Sequence, residues 1–235
     1  MLLSYTALLF LLREASTQPH VAFESLTFPA PDRQSWLRMK TCQVTVRVVG
    51  KGASSKVLDR EPCSILVAIN EAVVFAQRVD FLIANDYDAL SRAVSLCSSC
   101  FDNLLLPSIL HVEKGRRGFP STEVRAYFLR VLKQWPNVFI YNLQTSKRLL
   151  KVLQEGGWKD FTLPPQTPTL TSICSGETAL LWFASQGFKQ FIYYGHDSTA
   201  TYHPIFGQKR AVKSSGCYNN LRRHARHLML NITFV

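Results

Sequence analysis

The sequence is short of acidic residues, and it lacks long apolar runs and internal repeats. It has 16 Asp and Glu against 27 Lys and Arg, which gives a net charge of +11. The absence of a fixed-period repeat excludes solenoids and collagen-like chains. Glycine and proline are too few, at 11 residues each, for a low-complexity chain, and 47% apolar residues suffice for a large core. We therefore expect a globular chain whose positive charge favours anionic partners.

An apolar run near the start of the chain is too short to cross a bilayer. It extends from Leu2 to Leu12, with no Lys or Arg before it. We interpret residues 1–40 as an N-terminal accessory segment, either a core-facing helix or a signal-like helix, followed by a connector. Residues 41–235 are predicted to form a single α/β domain.

The cysteines show no spacing typical of a disulfide framework or a zinc site. Cys97 and Cys100 form a lone C-x-x-C, which is a weak metal or redox signal without a second pair or nearby histidines. Two other cysteines lie inside or beside apolar runs, as buried free thiols commonly do. We therefore predict a reducing compartment and cytoplasmic localisation, with no metal and no cofactor beyond a substrate.

Short apolar strands alternate with helical segments along the domain. Strands are predicted at 44–49, 65–69, 81–84, 104–111, 138–141, 191–194 and 230–235. Helices are predicted at 89–100, from 121 to about 134, and at 146–153, 178–186 and 218–228. Runs that are apolar on both faces suit a parallel sheet covered by helices. The pattern predicts a doubly wound, mostly parallel, Rossmann-like α/β sheet, with its crevice at the carboxyl ends of the strands.

Polar and glycine-containing motifs follow the predicted strands or begin a helix. The Gly50–Ser55 loop lacks the last glycine of G-x-G-x-x-G and the G-K-[ST] ending of a P-loop. It still offers a glycine turn and serine hydroxyls to a phosphate. Ser175 and Gly176 begin a helix, which is a second anion-accepting end. The other motifs at this edge are Asn70, Asp86 and the turn Gly195, His196 and Asp197. Together they predict a nucleotide crevice.

Four segments in this order resemble sialyltransferases and related bacterial glycosyltransferase-like proteins. They are 46–55, with its G-x-G-x-S loop, 68–71, with Asn after the second strand, 175–184, with a Ser-Gly helix start, and 191–197, ending in Tyr-Gly-His-Asp. The resemblance covers roughly residues 42–235. It implies a sialyltransferase-like fold, transfer of a sugar to an acceptor hydroxyl, and a nucleotide-sugar donor carrying CMP.

The resemblance also implies roles for single residues. Gly50, Gly52 and Ser54 would contact the phosphates of the nucleotide-sugar donor, and Asn70 would contact its nucleotide. Ser175 and Gly176 would lie at the phosphate or the donor sugar. Lys51 stands between the loop glycines, where the family often has Asn, and would neutralise phosphate. Gly195 and Asp197 belong to the family's late strand ending. Independently of the resemblance, Asp86 is a polar residue at the end of a predicted strand that could bind a ribose or a metal, although a lone carboxylate is more often a cap or turn residue.

The family's usual base is missing from this sequence. A histidine commonly precedes the last helix, whereas residues 213–217 read Lys-Ser-Ser-Gly-Cys. His203 is the nearest substitute, because a histidine side chain suits proton abstraction at neutral pH, and His196 is the second candidate.

Two other functions fit the sequence. One is a catalytically silent module that keeps the nucleotide crevice. The other is a basic nucleic-acid-binding domain that uses the run from Arg222 to His227. That run is more simply interpreted as the solvated face of a terminal helix, so nucleic acid is the less favoured partner. An anionic membrane surface also stays open as a partner.

Overall fold

The structure is a computed structural model that describes residues 44–108, 110–111, 121–135, 137–143, 168–170, 174–196, 202–206 and 214–235. The accessory segment predicted at 1–40 and the helix predicted at 146–153 lie outside the described residues, as does Asp197.

Within the described residues, eight strands form one sheet in which all neighbouring strands are parallel. The strands are β1 (Thr45–Val49), β2 (Ser64–Ile69), β3 (Val79–Ile83), β4 (Phe101–Pro107), β5 (Val138–Leu143), β6 (Thr169–Leu170), β7 (Gln190–Tyr194) and β8 (Asn231–Phe234). Their order in the sheet is β6-β5-β4-β3-β2-β1-β7-β8. The predicted doubly wound α/β fold is confirmed.

Helices cover both faces of the sheet. The α-helices in the described ranges are α1 (Tyr87–Leu96), α2 (Ser121–Gln134), α3 (Ser175–Ser185) and α4 (Ser214–His227). The helices α1 and α2 pack on one face together with a 3-10 helix at Asn70–Phe75, and α3 and α4 pack on the other. None of the described helices is long and apolar enough to span a bilayer.

Burial explains the apolar sequences of the strands. In β2 every residue after Ser64 is buried, because helices cover both faces of the sheet centre. In the edge strand β8 exposed and half-buried residues alternate instead. Beneath α3, aromatic rings pack edge to face in the core, with Phe81 and Phe183 5.2 Å apart between ring centroids.

Several elements differ from the prediction. Strand β4 ends at Pro107, whose ring lacks an N–H for further pairing, and beyond it His111 makes only an isolated bridge to Asp86. Helix α1 ends at Leu96 rather than at residue 100. The short strand β6 lies in a part of the chain where no strand was predicted.

Four of the five cysteines in the described ranges form disulfides, although their spacing is not typical of a disulfide framework. A disulfide joins Cys97 to Cys100, with 5.5 Å between their Cα atoms, directly after α1. A second joins Cys174, at the start of α3, to Cys217 in α4, with 6.5 Å between the Cα atoms. Both separations lie in the range that disulfides require. Cys63 is free and exposed.

Candidate active site

The strand order reverses at β1, which has β2 on one side and β7 on the other. In open α/β sheets the ligand crevice lies at the carboxyl ends of the strands at such a reversal. Gly50 directly follows β1 and Gly195 directly follows β7. Their loops stay paired, because the N–H of Gly50 donates to the carbonyl of Tyr194 (2.8 Å) and that of Gly52 to the carbonyl of Gly195 (2.9 Å). The structure therefore brings the two predicted glycine motifs together.

The imidazole of His196 lies between the glycine loop and the start of α3. A Cβ atom on Gly50 would stand 2.6 Å from its Cε1 atom, and a Cβ on Gly176 would stand 2.7 Å from its Nε2 atom. Only glycine fits against the ring on either side. The Nδ1 atom lies 3.2 Å from the carbonyl oxygen of Tyr194. Because a carbonyl can only accept, Nδ1 carries the proton of the neutral ring, and the lone pair lies on Nε2, toward α3.

The serine hydroxyls of the loop hold the loop in place. Ser54 donates to the carbonyl of Val235 (3.0 Å) and accepts from the N–H of Gly195 (3.2 Å). Ser55 is buried and donates to the carbonyl of Gly50 (2.6 Å). These bonds, with those of the two glycine amides, give the loop a rigid shape. A phosphate contact from Ser54 stays a prediction, and it would have to share the hydroxyl with Val235.

Lys51 is held by a buried carboxylate. Its Nζ lies 2.8 Å from Oε2 of Glu71, whose other carboxylate oxygen accepts a hydrogen bond from Arg92. Burial raises the pKa of Glu71, but hydrogen bonds and charge attraction from Lys51 and Arg92 outweigh it, so the pKa lies below its ordinary value. The ammonium group also lies 4.6 Å from the ring centroid of Tyr202. The triad carries one net positive charge beside the crevice.

Asn70, the first residue after β2, has two uncommon features. Its φ angle of +56° is in the left-handed region, and its side-chain oxygen Oδ1 is buried with no hydrogen-bond partner. A buried amide oxygen without a donor costs free energy, and strained backbone tends to occur at functional sites. Its neighbour Glu71 contacts Lys51, so Asn70 lies beside the glycine loop.

His203 packs against the same loop. Its backbone N–H donates to the carbonyl of Lys51 (2.7 Å), and its ring lies edge-on to that of Phe75 at 4.9 Å. Its Nδ1 atom accepts a hydrogen bond from the N–H of Ile205 (3.3 Å). In the neutral ring this bond places the proton on Nε2. Neither nitrogen of His203 can then accept a proton unless the bond from Ile205 breaks.

The first turn of α3 is buried and tied down on several sides. Ser175 and Gly176 are both buried, and the hydroxyl of Tyr193 donates to the carbonyl of Gly176 (3.0 Å). Glu177 accepts from the N–H of Cys174 (3.3 Å) as part of a capping box, and its other oxygen lies 3.1 Å from Nε2 of His224. The predicted anion-accepting end is thus fixed next to His196.

A buried polar network that the motifs did not indicate lies under the same helix turn. The amide of Asn85 donates to the hydroxyl of Thr178 (3.2 Å), and the hydroxyl of Tyr141 donates to Oδ1 of Asn85. Burial raises the pKa of Tyr141 well above its ordinary value. One residue comes from β5, one from α3 and one from the connection between β3 and α1, so no sequence-local pattern could reveal the network.

Asp86 lies farther along this edge. It precedes α1, where its carbonyl accepts from the N–H of Leu90 (3.0 Å) and its side chain makes no capping hydrogen bond, and its backbone bridges that of His111. Nε2 of His111 is buried without a hydrogen-bond partner, and burial lowers the pKa of this ring. In the described ranges no three His, Cys, Asp or Glu side chains converge as metal ligands would.

We predict that Gly176→Ala reduces the free energy of unfolding by about 1–3 kcal/mol, because its methyl group would collide with His196. Adding His196→Ala should recover part of that loss. Urea denaturation of the two single variants and the double variant measures the coupling.

Gly50→Ala is the matched control for this cycle. Its new methyl group would also stand 2.8 Å from the carbonyl oxygen of Gly195, which removal of the ring leaves in place. His196→Ala should therefore rescue Gly50→Ala less than Gly176→Ala. If the losses in the free energy of unfolding caused by Gly176→Ala and His196→Ala were strictly additive in the double variant, the imidazole would not occupy the space that the new methyl group enters.

We predict that Glu71→Gln destabilises the protein by about 3 kcal/mol at neutral pH, because it leaves Lys51 half-buried without its carboxylate. The folded-state pKa of Glu71 is lowered, so its contribution is complete above the ordinary Glu pKa of about 4.3 and is lost as pH falls through the lowered value. Denaturation curves of wild type and variant should thus converge in acid. A difference that stays constant down to acid unfolding would contradict the ion pair.

The geometry brings ten of the predicted residues to one edge of the sheet around the β1–β7 reversal, with Asp86 two strands away and Asp197 outside the described residues. These ten are Gly50, Lys51, Gly52, Ser54, Asn70, Ser175, Gly176, Gly195, His196 and His203. No family model, no curated protein and no solved structure matches this chain.

Proposed function

We propose that the protein is a glycosyltransferase that transfers a sugar from a CMP-linked donor to an acceptor hydroxyl. The observation that carries the proposal is the buried, unpartnered Oδ1 of Asn70, held with a φ of +56° at the carboxyl end of β2. An amide oxygen in this state matches a ligand donor such as a ribose hydroxyl or a base amine. Asn70 is the residue that the family resemblance assigns to the nucleotide.

A phosphate next to this nucleotide would be attracted to the start of α3. The amides of the first helical turn and the helix dipole favour an anion there, and Ser175 lies in that turn. The net positive triad around Glu71 adds to the attraction. Both features lie at the carboxyl edge, where parallel sheets bind nucleotides.

The transfer itself needs a base beside the phosphate. The acceptor oxygen forms the new bond to the anomeric carbon, the bond from that carbon to the phosphate oxygen breaks with its electron pair, and the acceptor proton passes to the base. We assign this role to His196 rather than His203, because the ring of His196 lies between the glycine loop and the start of α3, with Nδ1 at the carbonyl oxygen of Tyr194. In His203 the corresponding Nδ1 already accepts from Ile205.

The compartment belongs to the proposal as well. Cytoplasmic localisation stays a prediction. The disulfides Cys97–Cys100 and Cys174–Cys217 weigh against it, because such bonds persist mainly in oxidising compartments.

We predict that Asn70→Ala weakens CMP binding by about 5- to 150-fold, which is the effect of losing a hydrogen bond in a desolvated site. Isothermal calorimetry of wild type and variant measures it, with uridine and guanosine monophosphates as comparison ligands. Asn103→Ala serves as control, since this amide only bonds the carbonyl of Asp80 at a distance from the crevice. Equal affinity of wild type and Asn70→Ala would remove Asn70 from the site.

We predict that His196→Gln lowers turnover of the preferred sugar nucleotide by about 10²- to 10⁴-fold with CMP affinity nearly intact, because a base acts in the transition state. His203→Gln should lower it much less. Release of the nucleotide is the readout. A larger loss in His203→Gln would reverse the assignment, and CMP binding without turnover of any sugar nucleotide by wild type would identify a silent binding module.

A further inference from the structure

The end of α4 forms a surface at the edge of the sheet opposite the crevice. Strand β8 begins at Asn231, which pairs with Gln190, the first residue of β7. The turn from Leu228 to Leu230, which connects α4 to β8, therefore lies at the amino ends of the parallel strands. A partner docked on this turn would leave the carboxyl edge open.

This surface is strongly cationic. Arg222, Arg223 and Arg226 of α4 are exposed, and so is Lys189, which precedes β7. The sequence from residue 198 to 235 contains no Asp or Glu to balance them. His224 is the exception among the basic side chains, since it pairs with the buried Glu177. The charges at this edge are thus available to an anionic partner.

Apolar side chains stand among these charges. Met229 is 87% exposed and Leu228 is 39% exposed. Beside them a groove of about 430 Å³ opens between α3 and α4, with apolar walls that include Leu181, Phe188 and Leu230. Contact between this nonpolar surface and water costs free energy. A nonpolar environment around Met229 would remove that cost.

We propose that this surface docks the protein on an anionic lipid bilayer. The arginines and Lys189 would contact the lipid headgroups, and Met229 and Leu228 would enter the boundary between headgroups and acyl chains. Cationic residues around a small apolar tip are the combination that binds peripheral proteins to such membranes. The crevice would then face away from the membrane.

The exposed Met229 and Leu228 favour a bilayer over a nucleic acid as the partner of this surface. Phosphate backbones attract the same arginines, but they offer nothing to an apolar tip at the centre of the charged surface. The two partners therefore predict different effects of removing the Met229 side chain. Its removal weakens binding to a bilayer and leaves binding to DNA unchanged.

Vesicle flotation of the full chain tests the proposal. We expect binding to phosphatidylcholine vesicles that contain phosphatidylserine, weak binding to pure phosphatidylcholine, and a decrease at high salt. The charge-reversal variant Arg223→Glu/Arg226→Glu should bind at least about tenfold more weakly. Met229→Ser should bind about three- to tenfold more weakly. Thermal unfolding by circular dichroism checks that the variants fold, and Arg223→Gln/Arg226→Gln replaces the reversal if it does not.

Matched controls use exposed residues away from this surface. Arg130→Glu/Lys133→Glu makes the same charge change on α2, across the sheet from α4, and Val57→Ser removes another exposed apolar side chain. Both should bind as wild type. Equal losses in the α2 and α4 charge variants would overturn the proposal, because binding would then follow total charge. Absence of binding to the anionic vesicles would overturn it too. So would binding of the wild type to duplex DNA that is tighter than its binding to the anionic vesicles at the same salt concentration.

Discussion

The pairing of β1 with β7 continues past the ends of both strands, and the candidate site depends on it. Hydrogen bonds from the amides of Gly50 and Gly52 to Tyr194 and Gly195 close the crevice floor. They also place His196 where only glycine can face it, at Gly50 and at Gly176. The loop after β1, the turn after β7 and the start of α3 are therefore one packed unit. A shift in any of these elements would move the imidazole.

Electrostatics gives the unit a positive character without leaving isolated charges inside it. The carboxylate of Glu71 holds Lys51 and Arg92, and the carboxylate of Glu177 caps α3 and holds His224 of α4. Both carboxylates are buried and both have basic partners, as buried charges require. Positive charge is left over on the triad of Lys51, Glu71 and Arg92 beside the crevice and, in the described ranges, on the exposed arginines at the end of α4 at the opposite edge.

The sheet was predictable from the sequence because its signal is local. Strands such as β1 and β2 are continuous apolar runs, and Gly187, with a φ of +96°, ends α3 where the sequence indicates. The glycine and polar motifs after the strands also met at one edge, since parallel strands place their carboxyl ends together. Specific partners are not predictable in the same way: no local pattern indicates that Lys51 pairs with Glu71, which is twenty residues away.

Long-range contacts account for the other differences. The bond between Cys174 and Cys217 and the network of Tyr141, Asn85 and Thr178 join residues that are far apart in sequence, so spacing carries no signal for them. The tautomers of the two histidines likewise depend on carbonyl and amide groups that only the folded chain brings to them.

The central claim is that the crevice at the β1–β7 reversal binds a nucleotide through Asn70 and the start of α3. A crystal structure of the protein grown with CMP tests it most directly. The account predicts a nucleotide hydrogen-bonded to Oδ1 of Asn70, with its phosphate at the amides of Ser175 and Gly176. A nucleotide bound elsewhere, or a saturated crystal with Asn70 and the first turn of α3 free of ligand, would contradict it.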